Sequence, residues 1–297
     1  MKIVVAGASG LIGRAFVHAA RAEGHTVKKL VRREARAADE ITWDPAAGTL
    51  AASALEGTDA IVNLAGESVA SGRWTDERRE RILRSRTDAT RTLVVAVGKL
   101  TRKPEVWLNA SAVGFYGDRG DELLPESAPI GQGFLAEVCL AWETHAEGAA
   151  RKGVRVVLLR FGTVLAGEGG ALAKMLPVFR LGLGGRLGPG TQWMSWVALE
   201  DVVGAMLHAL REPRCAGPFN IVSPQPVRNA EFTATLGRVL RRPAMLPAPA
   251  WALRMAFGQM ADEALLASTR AEPQRLAETG YVFRQPALEA ALRAILT

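Results

Sequence analysis

The first thirteen residues restrict the fold more than any other stretch of this chain. Lys2-Ile3-Val4-Val5-Ala6 is an apolar, β-branched run that leads straight into Gly7-Ala8-Ser9-Gly10-Leu11-Ile12-Gly13. The G-x-x-G-x-x-G spacing is a variant of the dinucleotide fingerprint. Gly7 ends a strand in a tight turn, Gly10 lets backbone N–H groups approach a pyrophosphate, and Gly13 lets the next helix pack closely on the sheet. Ala15, Phe16, Val17, Ala19 and Ala20 give that next segment an amphipathic helical pattern, so the triplet sits in the strand–turn–helix context that gives it meaning. The N-terminus of such a helix offers unpaired N–H donors and a partial positive charge to phosphates. A strand–turn–helix without a ligand is the plainer alternative.

The second strand, Thr26 to Val31, ends in Arg32-Arg33, where this fold reads the adenosine ribose. An acidic residue there accepts from the 2′-OH of NAD, whereas arginine accommodates a 2′-phosphate. Two adjacent guanidiniums can make charge-assisted bonds to that phosphate, and Arg36 is nearby, while Asp39 and Glu40 come too late to take the acidic role. This position therefore favours NADP(H) over NAD, against the alternative of a solvated arginine-rich loop.

Strand and helix signals then alternate. Glu40–Trp43 is a short strand and Ala60–Leu64 a buried one; Thr75–Val97 is a long helix; Val106–Ser111 is a strand, Phe134–Lys152 a helix and Val154–Phe161 a strand. Apolar strands separated by helices predict an α/β fold, a Rossmann-type doubly wound parallel sheet covered on both faces, with ligands beyond the carboxyl ends of the strands. After residue 163 glycine-rich segments, a return strand at 218–222 and prolines 243, 247 and 249 change the pattern. We expect residues 1–163 plus 197–223 to form the nucleotide-binding domain. Residues 164–196 plus 224–297 are expected to form a smaller α+β substrate lobe.

A net charge of +7 carried mainly by arginine raises the question of nucleic acid. No long Lys/Arg run or basic stripe interleaved with aromatics is present, and anionic small molecules explain the bias more simply. Two distant cysteines, Cys139 and Cys215, indicate a reducing compartment. The four histidines show no ligand spacing, so no metal is expected. The start on a strand and the lack of a membrane-spanning apolar run give a cytoplasmic expectation with no membrane partner.

The ordered landmarks resemble the extended short-chain dehydrogenase/reductase superfamily of nucleotide-sugar epimerases and dehydratases. They are Gly7–Gly13, Asn63-Leu64-Ala65-Gly66, Ser111 with Tyr116-Gly117, Arg160, and Trp196–Asp201. Within it the chain is similar to the atypical "epimerase family protein" group. Ile41-Thr42-Trp43-Asp44, Glu67, Ser85-Arg86, the glycine-rich 180–185 and a C-terminal module carry that likeness; the module's marks are Pro249–Leu253, Phe257-Gly258 and Pro273–Leu276. The resemblance implies an NADP-dependent oxidoreductase or epimerase with a small-molecule substrate. It assigns the turn to Ser9, Gly10, Leu11 and Ile12, the 2′-phosphate to Arg32 and Arg33, and the cofactor crossing to Leu64, Ala65 and Gly66. It also gives Arg86 a phosphate, against the alternative of a solvated helix face shared with Arg81.

Dehydrogenases of this superfamily use Tyr-x-x-x-Lys, in which the lysine lowers the tyrosine pKa toward working pH. Aligned on Glu143, those positions are Leu135 and Cys139; shifted by one they are Phe134 and Val138. The dyad is absent. The catalytic Ser/Thr position is Ala112, with Ser111 beside it, so Ser111 and Tyr116 remain as catalytic candidates. Tyr281, the only other tyrosine, reads as a packed aromatic. Two functions follow: an enzyme with a non-standard acid–base group, or a catalytically inactive NADP(H)-sensing regulatory or interaction protein. Substrate and oligomeric state are not legible.

Overall fold

The computed structural model describes residues 1–296. Its main sheet contains β1 (Lys2–Ala6), β2 (Thr26–Val31), β3 (Glu40–Thr42), β4 (Ala60–Asn63) and β5 (Val106–Ala112). After the short β6 (Leu123–Leu124), which lies outside this sheet, come β7 (Arg155–Phe161) and, past three further short strands, β11 (Gly217–Ile221). Those three are β8 (Thr163–Leu165), β9 (Trp193–Met194) and β10 (Trp196–Ala198). The order is β11-β7-β5-β4-β1-β2-β3, and every neighbouring pair is parallel. Chain order reverses between β1 and β4, which opens a crevice at their carboxyl ends.

The helices are α1 (Leu11–Ala22), α2 (Asp76–Gly98), α3 (Phe134–Ala150), α4 (Gly170–Arg180) and α5 (Leu199–Arg211), followed by α6 (Asn229–Leu240), α7 (Ala250–Phe257), α8 (Gln274–Glu278) and α9 (Leu288–Leu296). Helices α1 and α5 cover one face of the sheet through Phe16, Val202 and Met206. Helices α2 and α3 cover the other through Leu93, Val97 and Ala146. Burial on both faces is why the strands read as continuous apolar runs rather than alternating ones.

The lobe has its own core, in which Leu172, Leu176 and Phe179 of α4 meet Phe232 and Leu236 of α6 and Leu292 of α9. Two minor strands, β12 (Val227–Arg228) and β13 (Arg270–Ala271), pair with β9 and β6. The chain does not stay in this lobe as expected for 224–297. Leu276 of α8 belongs to the sheet's core, with Tyr281 and Phe283 packed against it, and the Tyr281 hydroxyl donates to Asp201 Oδ1 at 3.0 Å. Short amphipathic returns of this kind carry no periodicity long enough to reveal which core they join. No helix among the described residues is long and apolar enough to cross a membrane.

Candidate functional site

Gly7 and Gly13 shape the crevice. Gly7 has φ +78°, and a Cβ there would lie 2.5 Å from the Leu64 carbonyl oxygen. A Cβ on Gly13 would lie 2.2 Å from the Gly7 carbonyl oxygen. The turn therefore presses α1 onto β1 and β1 onto the end of β4 at distances only glycine permits. Gly10 donates to the Gly7 carbonyl at 3.1 Å, and Arg14 N–H closes the first helical bond to Gly10 at 2.9 Å. No side chain caps α1, and its first turn has no carboxylate. By contrast α2 is capped by Thr75 and carries Asp76 and Glu77 in its first turn. The N-terminal donors of α1 are thus left without a side-chain cap or a neighbouring carboxylate, the electrostatics that suit an anion.

A cleft of about 1390 Å³ opens there. Its walls are the turn Gly7–Gly10, the end of β2 with Arg32 and Arg33, Trp43–Ala46, the end of β4 with Leu64, Ala65 and Gly66, and the α2 face carrying Arg81, Arg84 and Ser85. Of the sequence candidates, Leu11, Ile12, Gly13, Arg86, Ser111 and Tyr116 do not line it. Leu11 turns away to pack on Gly169 and Gly170, within about 3.2 Å of a Cβ on either. Sequence reasoning passed over Arg14, His18 and Asp44-Pro45 as lining residues; the Asp-Pro turn was the available signal. Asp44 Oδ1 accepts from Ala46 N–H at 2.9 Å and Ala47 N–H at 3.1 Å, which stiffens that wall.

Six arginines line the cleft, and five are engaged. Arg14 donates to Ser9 O at 2.7 Å, Arg21 to Asp39 at 2.5 Å and Arg81 to Glu77 at 3.0 Å, while Arg84 pairs with Glu80. Arg33 binds both oxygens of Glu40 at 2.8 Å, and this contact holds the Glu40 carboxyl down to about 2. Among the described residues, exposed Arg32 alone of the six has no hydrogen-bond or ion-pair partner.

Arg86 lies one layer deeper. Its Nη1 donates to Ile82 O at 2.8 Å and its guanidinium stacks 5.0 Å from the Trp142 ring centre. It fills the space beside Gly66, where a Cβ would come within 3.1 Å of it. Burial lowers its pKa, countered by the nearby Cys139 and Glu67. Cys139, at the position of the missing lysine, is buried, and burial pushes its thiol up to about 11.

Ser111 and Tyr116 sit in a buried polar chain behind the cleft. Ser111 donates to Glu143 Oε1 at 2.6 Å. Arg160 grips Glu143 at two points, 2.9 and 2.8 Å, and donates to the Tyr116 hydroxyl at 2.9 Å. That hydroxyl donates on to Asn220 Oδ1 at 2.7 Å. Tyr116 has no exposed surface, and burial raises its pKa. Both candidate hydroxyls are thus hydrogen-bonded to internal partners, and neither lines the cleft.

The C-terminal module touches the same region. Glu263 accepts from Phe134 N–H at 3.1 Å and Leu135 N–H at 2.8 Å, so a residue far along the chain caps α3 where no local side chain does.

The sequence model of the NAD dependent epimerase/dehydratase family matches residues 3–222. That of a domain of unknown function, DUF1731, matches residues 248–295. The epimerase family protein Mb2239 of Mycobacterium bovis is 43% identical over 98% of this chain and 96% of its own. The crystal structure of human epimerase family protein SDR39U1 (isoform 2) with NADPH superposes with a TM-score of 0.90 at 34% identity, covering 99% of both chains. A nucleoside-diphosphate sugar epimerase from Corynebacterium glutamicum gives a TM-score of 0.82 at 36% identity, covering all of this chain and 58% of that one.

Proposed function

Because the chain belongs to the NAD dependent epimerase/dehydratase family, we propose that it binds NADP(H) in the crevice and acts as an oxidoreductase on an unidentified small molecule. One observation carries the cofactor choice: Arg32 is the unpartnered guanidinium at the end of β2, where the 2′-phosphate of NADP would lie. The residues fit the group in other respects. The α1 N-terminus is uncapped, the glycine turn leaves no room for a Cβ, and the human relative was crystallised with NADPH.

In this reading the backbone N–H groups of Ser9, and of Leu11 and Ile12 at the start of α1, receive the pyrophosphate. Gly10, its own N–H held by the Gly7 carbonyl, leaves the approach open, and Gly13 holds the helix against the turn. Leu64, Ala65 and Gly66 border the path of the dinucleotide. Arg33, neutralised by Glu40, gives direction more than charge. Arg86 provides a fixed positive wall behind Gly66. Bound NADP(H) supplies the hydride donor or acceptor. Ser111 and Tyr116 we assign to positioning: they brace Glu143, Arg160 and the strand ends β5, β7 and β11, and the proton needed at the substrate comes from another group or from water.

A second reading, an NADP(H)-responsive binding protein without turnover, is favoured by one specific observation. Leu135 and Cys139 replace the dyad, and the remaining hydroxyls are internally bonded. Titration of NADPH into the wild type and Arg32→Ala, followed by nicotinamide fluorescence, tests the shared premise. The wild type should bind and the variant should bind about tenfold more weakly or less; equal affinities would remove Arg32 from the site. Single-turnover oxidation of bound NADPH by a panel of carbonyl compounds then separates the two readings.

A further inference from the structure

The charge of this protein is distributed unevenly along the chain. Between Glu168 and Glu200, and again between Glu231 and Asp262, there is no acidic residue. Lys174, Arg180 and Arg186 lie in the first interval. Arg238, Arg241, Arg242 and Arg254 lie in the second. Together they equal the entire net charge of +7, so the rest of the molecule is formally neutral.

Folding joins the two intervals where residues 184–188 run beside 246–248 in the lobe. Of the seven cations, Arg238 and Arg254 are paired with Glu289 and Asp262, and Lys174 donates to Ala70 O, which leaves Arg180, Arg186, Arg241 and Arg242. Leu246 N–H donates to Gly184 O at 3.1 Å, Ala248 N–H to Arg186 O at 2.9 Å and Gly188 N–H to Ala248 O at 2.8 Å. Helix α7 continues directly from this ribbon. It buries Leu253 and turns Trp251 and Met255, four residues apart, to the outside.

This tip of the lobe is apolar as well as basic. Met245 is 82% exposed, Leu181 74%, Met255 70% and Trp251 65%, with Leu246 and Leu183 more than half exposed. Side chains this exposed stand out as knobs. A rigid protein partner would need a matching set of pockets, whereas a fluid interface accepts knobs without one. Arg180, Arg186, Arg241 and Arg242 have no carboxylate partner among the described residues. A second copy of the same tip would set like charges against each other, which is unfavourable.

We propose that this tip rests on anionic phospholipid surfaces. Leu181, Met245, Leu246, Trp251 and Met255 enter the headgroup layer, while Arg180, Arg241 and Arg242 meet the lipid phosphates. Apolar side chains with a tryptophan, ringed by arginine, are the composition of an interfacial contact that lies on a bilayer without crossing it. Each basic residue adds attraction to an anionic leaflet, and the arginine stems can cover apolar area while their heads stay at the phosphates. None of these residues lines the cofactor cleft, so the contact is separate from the nucleotide site.

Vesicle flotation tests it with the whole chain. The protein should float with vesicles of equimolar phosphatidylcholine and phosphatidylglycerol, and should not float with phosphatidylcholine alone or at high salt. Arg241→Glu with Arg242→Glu should weaken partitioning on the order of a hundredfold. Trp251→Ser with Met255→Ser should abolish it, both pairs unfolding at the wild-type temperature. Failure of the wild type to float with the anionic vesicles overturns the proposal, as does flotation of both variants at the wild-type level. Retention on polyglutamate without flotation would assign the tip to an acidic protein, and a Trp251-dependent dimer without flotation to a second copy; either result also overturns it.

Discussion

Arg33 and Glu40 face each other across the β2–β3 edge in a two-point ion pair, both contacts at 2.8 Å, while Arg32 beside them is unpaired. Two adjacent arginines therefore differ in what they can offer a phosphate. Replacing Glu40 should release the second. Glu40→Gln is expected to tighten NADPH binding about three- to tenfold, measured by calorimetry, since it removes a negative charge and frees a bidentate donor. The pair is also pH-insensitive near neutrality. Its carboxyl is depressed from 4.5 to about 2, so its contribution is fully present above pH 4.5 and fades only as pH falls toward 2. The gain in Glu40→Gln should accordingly be constant between pH 6 and 8 after correction for ionisation of the ligand.

Tyr116→Phe separates positioning from proton transfer. The substitution leaves Asn220 Oδ1 and one Arg160 donor short of a partner in a buried place. It should cost about 1–3 kcal/mol of stability in urea unfolding and leave NADPH affinity within about twofold of wild type. If an activity is found, its kcat should fall no further than the stability loss explains. A selective loss of kcat with unchanged stability would return Tyr116 to the catalytic role.

Restoring the superfamily lysine should fail. Cys139→Lys buries an ammonium beside the Arg86 guanidinium, where burial already depresses one cation. The expected cost is about 3 kcal/mol or more, seen as a lower unfolding midpoint, whereas Cys139→Met should be tolerated at under about 1.5 kcal/mol. A stable Cys139→Lys protein would mean that the Glu143 carboxylate, which also acts on this position, outweighs burial and the Arg86 charge.

Much of the fold was readable from periodicity. The strands expected at Val106–Ser111 and Val154–Phe161 are β5 and β7 to within one residue, and the strand expected at 218–222 is β11, shifted by one residue. Ranges of this kind follow from apolar patterns that the local backbone expresses directly. The return of Leu276 and Tyr281 to the sheet was not legible, because burial of a five-residue helix depends on which surface is left open to it. At the site, the glycine turn and Arg32-Arg33 could be located in advance. The asymmetry between the two arginines could not, since it depends on Glu40, seven residues on, being carried by β3 to the side of β2. Likewise Ser111 and Tyr116 have suitable chemistry in the sequence, and only the three-dimensional positions of Glu143, Arg160 and Asn220 show that their hydroxyls are engaged.

The central claim is that the crevice reads a 2′-phosphate through Arg32. Side-by-side titration of the purified wild-type protein with NADPH and NADH at one ionic strength tests it most directly. The account predicts NADPH tighter by at least about tenfold, the difference shrinking as salt is raised. Equal affinities, or a preference for NADH, would contradict it.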